Sequence, residues 1–419
     1  MKSHYNSSIT EGVIWKQLLI FFVPILLGSL FQQLYNMVDA MVVGRFVGKE
    51  ALAAVDSTSS FTSLLVNFFV GAASGTSVIV SQFYGARNDL QVSRAVHTGV
   101  ALSLAGGVVV MIVGIIAAPV CFRAISVPEE IMADALTYIR VYFLGTVAQF
   151  AYNVGAGILR AVGDSRRPLY FLIIACVTNI VLDLLFVAVF GMGVFGAALA
   201  TVISQVVSMI LVAITLMRAA DSFQLFLRKI RFHKDMLLSI IKVGIPMGLQ
   251  SAMYSISNMI IRSAVNTFGT DVIAAWAVSG RMDFIIWTVM DTFGIAVTTF
   301  SGQNYGAGKA ERIRRGVRSA FLTAAVFSIL VSAVVVVFAE PLMTIFIDES
   351  ETEIIAAGVH YLRVEGAFYV GIGILFLLYG LYRAVARPGV SVVLTVISLG
   401  TRVVLAYALS AIPAIGAPG

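Results

Sequence analysis

The chain has 419 residues, of which 59% are hydrophobic and 12% are charged, and its formal net charge is +6. A soluble globular chain has about 25% charged residues, so these charged side chains cannot cover the surface that a soluble protein of this length exposes to water. The composition excludes a soluble enzyme, a disulfide-stabilised secreted domain and a disordered chain. It predicts a polytopic membrane protein surrounded by a lipid bilayer.

Apolar runs of about 20 residues or more, separated by polar or glycine- and proline-rich breaks, are typical of membrane-spanning helices. The sequence contains eleven such runs, and few of them show the two-residue alternation of a β-barrel strand. Several runs are longer than a span requires, which predicts tilted helices or helix ends that emerge into solvent. In chain order the predicted spans are 15–43, 52–80, 94–118, 131–158, 168–190, 195–217, 236–263, 272–300, 316–339, 353–380 and 389–412.

Basic residues orient the predicted bundle. With a cytoplasmic N-terminus, most Lys and Arg residues fall in inner segments, including the link between Arg218 and Lys234, and the acidic cluster from Asp348 to Glu353 falls outside. Cytoplasmic loops of membrane proteins carry this excess of basic residues. We therefore predict a multi-pass protein of the cell membrane (inner or plasma membrane) with its N-terminus in the cytoplasm. No soluble domain gathers the positive charge, so we predict no nucleic-acid partner.

An internal repeat organises the chain. The segment SQFYGARNDLQVSRAV from Ser81 resembles GQNYGAGKAERIRRGV from Gly302, and Pro24 recurs at nearly the same spacing as Pro246. Six predicted helices fit within one period, so both copies cross the membrane in the same sense, as in transporters built from parallel repeats. The sequence therefore predicts an all-α membrane protein of two parallel lobes related by a pseudo-twofold axis along the membrane normal. The predicted parts are an N-terminal lobe at 1–220, a cytoplasmic linker at 221–235 and a C-terminal lobe at 236–419.

The period also predicts that the second lobe is shorter than the first. At the spacing that relates Tyr138 to Tyr361, Gly196 at the start of the sixth helix corresponds to Gly419, the last residue of the sequence. We therefore expect a second lobe of five helices without a twelfth helix. Either the sequence is a fragment or this helix has been lost.

Five short motifs carry a resemblance to a known family. They are LYNMVDAMVVGRFVG, QFYGAR, RAVGDSRRP, NIVLD and GQNYGAG, in this order along the chain. The sequence resembles the multidrug and toxic compound extrusion (MATE) family, with the DinF-type branch as the nearest fit, over essentially its whole length. The resemblance implies two helical bundles that alternate between inward-open and outward-open V shapes. It also implies the exchange of cationic or amphipathic compounds for H+ or Na+.

The resemblance implies a site in the first lobe. Asp39 matches the acidic position of the first helix that couples transport in the family. Asn179 and Asp183 match the fifth-helix pair that helps to form a cation site in related members, so Na+ is a possible ligand of these three residues. No other metal and no cofactor is implied. The supporting polar network is predicted to contain Tyr138, Asn153, Thr201 and Asn36.

Elementary physical chemistry singles out the same residues. A charged side chain at the bilayer centre costs at least ~2.5–3.5 kcal/mol on insertion scales, so such residues are rare and usually functional. Gln32, Asn36 and Asp39 share one helical face, and Asn179 and Asp183 lie one turn apart. A carboxylate that a proton or a cation can neutralise is what ion-coupled exchange requires. The alternative interpretation is that both acids only fix the packing between helices.

The second lobe lacks these acids. Asp39 aligns with Ile261 and Asp183 aligns with Ala406, so the acidic chemistry is concentrated in the first lobe. The seventh helix carries no acid after Pro246, unlike that of the sodium-coupled branch, and this weakens the case for ion coupling there. Candidates for substrate contacts in the second lobe are Glu365, Gln250, Tyr254 and Asn258.

The sequence therefore predicts a secondary active multidrug antiporter that acts as a monomer on small organic cations or amphipathic drugs. Two alternatives stay open, a lipid-linked saccharide flippase of the same superfamily and a truncated inactive copy. A flippase is expected to place basic side chains in its cavity to hold pyrophosphate, whereas the first lobe offers acids and amides. The sequence shows no phosphate-binding loop, no paired-histidine metal motif and no catalytic triad, so we predict no enzymatic activity.

Overall fold

The computed structural model of the chain describes residues 9–124, 127–410 and 412, without the side chains of residues 59, 60, 64 and 72. Gly419, and with it the predicted end of the repeat, lies outside the described residues. Within these ranges the chain forms fourteen α-helices and no β-strand. The helices are α1 (Ile14–Phe46), α2 (Lys49–Gly85), α3 (Asp89–Ala124), α4 (Glu129–Leu144), α5 (Thr146–Ala161), α6 (Arg166–Asp183), α7 (Gly193–Met217), α8 (Lys234–Val265), α9 (Thr270–Gly306), α10 (Ala310–Val337), α11 (Ala339–Thr344), α12 (Thr352–Ala367), α13 (Tyr369–Ala384) and α14 (Pro388–Ser410).

The prediction of an all-α polytopic membrane protein is confirmed. In the described part of the chain, nine helical stretches are long and apolar enough to cross a membrane, and two bent helix pairs raise the number of spans to eleven. The bent pairs are α4 with α5, at 45°, and α12 with α13, at 49°. The sequence predicted each pair as one continuous span, and the structure adds a break at Gly145 and at Phe368.

Apolar side chains cover much of the helix surface. Val109 on α3 is 49% exposed, and Ile116 and Val120 on the same helix are each 70% exposed. Only 11% of the most apolar stretch of α14 is buried. Soluble monomers rarely expose apolar patches of this extent, so these faces are in contact with lipid.

The backbone repeats its turns as well as its helices. Gly48 after α1 and Gly269 after α8 both have positive φ angles, of 126° and 94°. Arg87 after α2 and Gly308 after α9, which correspond at the same spacing, have φ angles of 55° and 69°. Left-handed conformations are unfavourable for residues with a Cβ atom. Their recurrence at a fixed spacing therefore shows that the two copies share a backbone design.

Internal contacts divide the described chain into two compact units. Unit 1 contains residues 9–12, Leu19–Ser251 and Gly302–Lys309, and unit 2 contains Val13–Leu18, Ala252–Ser301 and the chain from Ala310 onwards. The first half of α8 and the last turn of α9 therefore belong to unit 1. The lobe boundaries at 220 and 236 describe the sequence repeat and stay a prediction.

Small residues let α2 pack closely against α8 inside unit 1. A Cβ atom added to Gly75 would lie 2.5 Å from the Ile240 carbonyl oxygen and 2.8 Å from the Gly244 nitrogen, and one added to Gly71 would lie 2.8 Å from the Gly248 Cα atom. Small residues at helix interfaces allow such backbone approach in membranes, where apolar burial contributes little between helices. The first half of α8 therefore packs directly on the backbone of α2.

Candidate functional site

Asp39 lies in the last third of α1, beyond the proline at position 24. Its side chain is 8% exposed. The other polar residues on this face, Gln32 and Asn36, are exposed, and the Asn36 amide donates a hydrogen bond to Gln33 Oε1 at 3.3 Å. Asp39 is therefore the buried member of the polar face of α1.

The other two polar residues of the predicted site, Asn179 and Asp183, lie at the C-terminal end of α6. Asn179 and Asp183 are completely buried and lie one turn apart. Regular α-helix ends at Asp183, and Leu184–Val189 continues as a π-helical segment. The wider π turn is rare and is frequently found at functional sites. Asp183 therefore occupies the last regular turn before a local change in helix geometry.

The structure brings Asp39, Asn179 and Asp183 together in unit 1. Asp39 and Asp183 interact with each other, and Asn179 interacts with Asp183. Their polar atoms are nevertheless poorly satisfied. Among the described residues, Asp39 Oδ1, both amide atoms of Asn179 and both carboxylate oxygens of Asp183 are buried without a hydrogen-bond partner of good geometry.

This arrangement is suited to binding a positive species. A buried polar group without a partner costs roughly 1–3 kcal/mol, and a buried unpaired charge costs more. Neighbouring carboxylates also repel each other when both are ionised. A proton, or a cation held by the oxygens of Asp39, Asn179 and Asp183, would relieve both costs.

Hydroxyl groups border the acids. The Tyr35 hydroxyl donates a hydrogen bond to Thr201 Oγ1 at 3.1 Å, and the buried Tyr138 ring stacks on Tyr142 with centroids 6.2 Å apart. Tyr35 and Tyr138 both interact electrostatically with Asp39. The sequence analysis did not single out Tyr35 or Tyr142. Tyr35 lies one turn before Asp39 and Tyr142 one turn after Tyr138, so helical spacing from the chosen residues was the available signal.

A cavity of about 430 Å³ opens beside Asp39 in unit 1. Its size suits a small drug-like molecule. Asn179 and Asp183 are absent from its wall, whereas all the other residues predicted for the first lobe line it: Asn36, Asp39, Tyr138, Asn153 and Thr201. The Asn153 amide donates to the Gln149 backbone carbonyl at 2.8 Å, so Asn153 contributes to the cavity wall. The cavity also contains Gln149 and Gln205, which the sequence analysis did not select.

Unit 2 contains a different acidic group. The Tyr369 hydroxyl donates a hydrogen bond to Asp283 Oδ1 at 2.6 Å, and Asp283 also interacts with Glu365 and Tyr361. Asp283 is 6% exposed and Tyr369 is fully buried. The structure therefore places Glu365 beside a second acid on α9 that was not among the sequence candidates. Asp283 lies in the first half of its predicted span, and nothing in the sequence indicates that it faces α12.

The remaining second-lobe candidates are not gathered at one point. Gln250 is 1% exposed and belongs to unit 1, whereas Tyr254 and Asn258 belong to unit 2. The Tyr254 hydroxyl donates to the Tyr379 hydroxyl at 3.3 Å, and Asn258 Oδ1 accepts a hydrogen bond from Arg402 at 2.8 Å. Both side chains therefore have partners within unit 2.

One protein-family model matches both repeats of the chain. The MatE family model matches residues 24–185 and again residues 246–408. The two matches begin at Pro24 and Pro246, the pair of prolines that recurs in the sequence repeat. Asp39, Asn179 and Asp183 all lie within the first match.

Relatives and solved structures agree with this match. The chain is 31% identical to the probable multidrug resistance protein YpnP of Bacillus subtilis (strain 168) over 389 residues, which are 93% of this chain and 86% of YpnP. It is 24% identical to the FAD transporter of Shewanella oneidensis over 400 residues, which are 93% of this chain and 87% of that protein. A multidrug resistance MATE family transporter of the MOP superfamily, solved in an outward-facing conformation, superposes with a TM-score of 0.90 at 27% identity and covers 98% of this chain and 91% of its own. The chain therefore belongs to the MatE family of membrane transporters.

Proposed function

We propose that this protein is a secondary active antiporter that exports cationic or amphipathic compounds in exchange for H+ or Na+ by alternating access. The observation that carries the proposal is the buried Asp39–Asn179–Asp183 group. It holds unpartnered oxygen atoms, and one of its members, Asp39, lines the cavity of unit 1. The basic residues of the linker and loops favour a location in the cell membrane with the N-terminus in the cytoplasm.

The geometry supports exchange because Asp39 belongs to both the buried group and the cavity. An organic cation in the cavity can pair with Asp39 only while this carboxylate is ionised and unoccupied. A proton or sodium ion held with Asp183 neutralises the same carboxylate. The two ligands therefore exclude each other at Asp39, and mutual exclusion is the minimal requirement for coupled exchange.

The charge of the cavity favours cations over anions. Family membership alone does not fix the charge of the substrate, because the relatives include both multidrug resistance proteins and an FAD transporter, and FAD carries anionic phosphates. Among the residues that line the described cavity there is one acid and no Lys, Arg or His. The same composition disfavours a flippase for a pyrophosphate-linked saccharide, since phosphate recognition relies on Arg and Lys.

The proposal is tested by efflux activity under an imposed pH or Na+ gradient, measured as accumulation of a fluorescent organic cation inside everted membrane vesicles, whose lumen corresponds to the outside of the cell. We expect wild-type vesicles to move the dye under one of the two gradients and the Asp39→Asn and Asp183→Asn variants to lose this movement. Asp134→Asn is a matched control, because Asp134 is an exposed acid on α4 and its loss removes the same charge. Unchanged gradient-driven efflux in both site variants would contradict the proposal.

The same assay separates the two coupling ions. An imposed pH gradient without Na+ drives efflux only if protons couple, and an imposed Na+ gradient at equal pH drives efflux only if Na+ couples. Efflux under neither gradient, with ATP absent, would contradict secondary active exchange of either kind.

A further inference from the structure

The linker between the two repeats exposes apolar and basic side chains side by side. This linker patch consists of six exposed residues: Phe226, Leu227, Arg228, Lys229, Arg231 and Phe232. Leu227 is 64% exposed and Phe232 is 51% exposed. Exposed aromatic and aliphatic side chains next to basic ones are typical of segments that lie in the interface of a membrane.

Hydrogen bonds to α3 hold both ends of the linker patch. The Phe226 N–H donates to His97 Nε2 at 3.1 Å, and the His233 N–H donates to Thr98 Oγ1 at 3.2 Å. Just before the patch, Leu225 is buried in the apolar core of unit 1. The patch is therefore a surface with a defined position on unit 1, and its apolar side chains point away from the core.

The level of these anchors along α3 places the linker patch at the membrane boundary. The helix has 36 residues and is therefore ~54 Å long, whereas the hydrocarbon core of a bilayer is ~30 Å thick. A helix centred in the bilayer then extends beyond the hydrocarbon by about 12 Å at each end, and by less if it is tilted. At 1.5 Å per residue, His97 lies about 12 Å from Asp89, the first residue of α3. The anchors therefore lie near the boundary between hydrocarbon and headgroups.

The basic side chains of the linker patch keep their positive charge uncompensated. Among the described residues, Arg228, Lys229 and Arg231 form no ion pair, and the sequence from 222 to 234 contains no acid. Lys229 Nζ lies 4.5 Å from the centroid of the Phe226 ring, and Arg231 Nε donates to His233 Nε2 at 3.1 Å. Neither contact neutralises the charge. Phosphate groups complement such side chains through charge-assisted hydrogen bonds.

We propose that the linker patch is a binding site for the headgroups of anionic phospholipids. The basic side chains contact the phosphate oxygens, and Leu227 and Phe232 lie in the interfacial layer of the bilayer. Each Lys or Arg near an anionic membrane surface contributes about fivefold in affinity. A soluble acidic protein would match the charge of the patch, but it would not account for the apolar side chains at the level of the membrane boundary. The inference goes beyond the proposed export function, because it concerns the linker and not the cavity.

Quenching by spin-labelled lipids tests the proposal in the full-length protein. Leu227→Cys carries a fluorophore, and Cys121→Ala and Cys176→Ala remove the other two cysteines of the chain. Nanodiscs of phosphatidylcholine contain increasing amounts of phosphatidylglycerol or of phosphatidylcholine, each with a spin label at the same acyl carbon near the headgroup. We expect both lipids to quench the fluorophore. Phosphatidylglycerol should reach half-maximal quenching at a concentration at least about fivefold lower.

Neutralising the linker patch separates its charge from its position. A triple variant with Arg228→Gln, Lys229→Gln and Arg231→Gln should be quenched equally by the two lipids, because the interfacial position stays and the attraction is lost. Raising the salt concentration to about 1 M shortens the screening length to about 3 Å. It should reduce the preference for phosphatidylglycerol in the protein that keeps its basic residues.

A matched triple variant removes the same charge at the other end of the same helices. Arg45→Gln, Lys49→Gln and Arg123→Gln lie at the end of α1, the start of α2 and the end of α3, and this variant should keep the preference. Equal quenching by the two lipids when the linker keeps its basic residues, or a full preference after they are neutralised, would overturn the proposal. Quenching by neither lipid would show that the patch faces water, as a site for a soluble acidic partner does, and would also overturn it.

Discussion

The two repeats of this transporter share their backbone and differ in their buried polar groups. Each repeat contains a bent helix pair, at 45° in the first copy and at 49° in the second. Each also places a positive φ angle after its second helix. At the positions of Asp39 and Asp183, however, the second copy has Ile261 and Ala406. Architecture is thus duplicated, while the acids lie at different positions in the two copies: Asp39 and Asp183 in the first, Asp283 and Glu365 in the second.

The two acidic groups also differ in how well they are satisfied. Both oxygens of Asp183 lack a hydrogen-bond partner among the described residues, whereas Asp283 accepts a hydrogen bond from Tyr369 at 2.6 Å. At the position equivalent to Asn179 the second copy has Arg402, which donates to Asn258. An unsatisfied group favours binding of an ion, and a satisfied group contributes to stability. In the second group Glu365 Oε2 is also buried without a partner, so among the described residues the groups differ in degree: five such atoms on Asp39, Asn179 and Asp183 against one on Glu365.

Transport provides the largest expected contrast between the two groups. Asp183→Asn removes a carboxylate of the unsatisfied group and is expected to abolish gradient-driven exchange. Asp283→Asn keeps an oxygen that can accept the Tyr369 hydrogen bond and is expected to retain exchange close to the wild-type rate. Vesicle efflux of an organic cation checks both variants. Loss of exchange in Asp283→Asn with normal folding would show that the second acidic group also couples transport.

Replacing equivalent glycines with alanine should show that both copies depend on close backbone packing at their second helix. A Cβ atom on Gly85 would overlap the Gln303 carbonyl, and one on Gly306 would overlap the Gln82 carbonyl. Because backbone cannot move aside as a flexible side chain does, Gly85→Ala and Gly306→Ala should each lower the free energy of unfolding by about 2–3 kcal/mol. Denaturant titration in mild detergent measures this change.

Gly280 provides the matched control for these glycines. It lies inside α9, and a Cβ atom there would meet nothing within 4 Å. Gly280→Ala should leave stability unchanged or raise it by about 0.5–1 kcal/mol, because alanine favours a helix interior. A large loss of unfolding free energy in only one of Gly85→Ala and Gly306→Ala would contradict the equivalence of the two positions.

The two helix bends should respond differently to alanine. A Cβ atom at Gly145 would lie 3.0 Å from Val202 Cγ2 and 3.2 Å from the Tyr142 carbonyl oxygen, besides displacing the movable tip of Gln205, so we expect Gly145→Ala to lose about 1 kcal/mol. Phe368 at the second bend is 70% exposed, and Phe368→Ala should change the free energy of unfolding by less than about 0.5 kcal/mol. The same detergent titration compares them, and equal losses would contradict the role given to Gly145.

The smallest expected effect concerns the linker. Partial burial, with the nearby positive charges of Arg231 and Arg94, lowers the pKa of His233 below its usual value of 6.5. The neutral ring contacts Thr98 Oγ1 through Nδ1 at 3.1 Å. The folded state therefore takes up this proton less readily than the unfolded state, so the contribution of His233 is complete above about pH 6.5 and declines as the pH falls below it.

His233→Gln should remove this small part of the pH dependence. Thermal unfolding in detergent between pH 7.5 and pH 5 is expected to show a slightly shallower decline for the variant than for the wild type. His360→Gln, a change at an exposed position on α12, should leave the profile as it is in the wild type. A steeper decline in His233→Gln would contradict the assignment.

The sequence predicted the membrane class, the eleven spans and the repeat because these depend on composition and spacing along one chain. It also singled out Asp39, Asn179 and Asp183 as candidates, since a polar residue inside an apolar run is visible without a structure, and the structure brings the three side chains together. It did not identify Gln149, Gln205 or the pairing of Asp283 with Glu365. Those depend on which faces of different helices meet, and helical period alone does not determine this.

The bends were missed for a related reason. A glycine such as Gly145 is also common in straight membrane helices, where it lets a neighbouring helix approach closely. Phe368 at the equivalent position has no feature that is typical of a helix break. A break in a membrane helix leaves backbone groups that must find partners nearby, and those partners belong to other helices. Local sequence therefore predicts that a span exists more readily than it predicts that the span is bent.

Release of the coupling ion from purified protein tests the central claim most directly. A pH-sensitive dye reports protons, and radiolabelled Na+ loaded onto the protein reports sodium, as a saturating organic cation is added. We expect ion release from the wild type and from Asp283→Asn, and none from Asp39→Asn or Asp183→Asn. Wild-type release from Asp39→Asn, or loss of release in Asp283→Asn alone, would contradict the assignment of coupling to the first repeat.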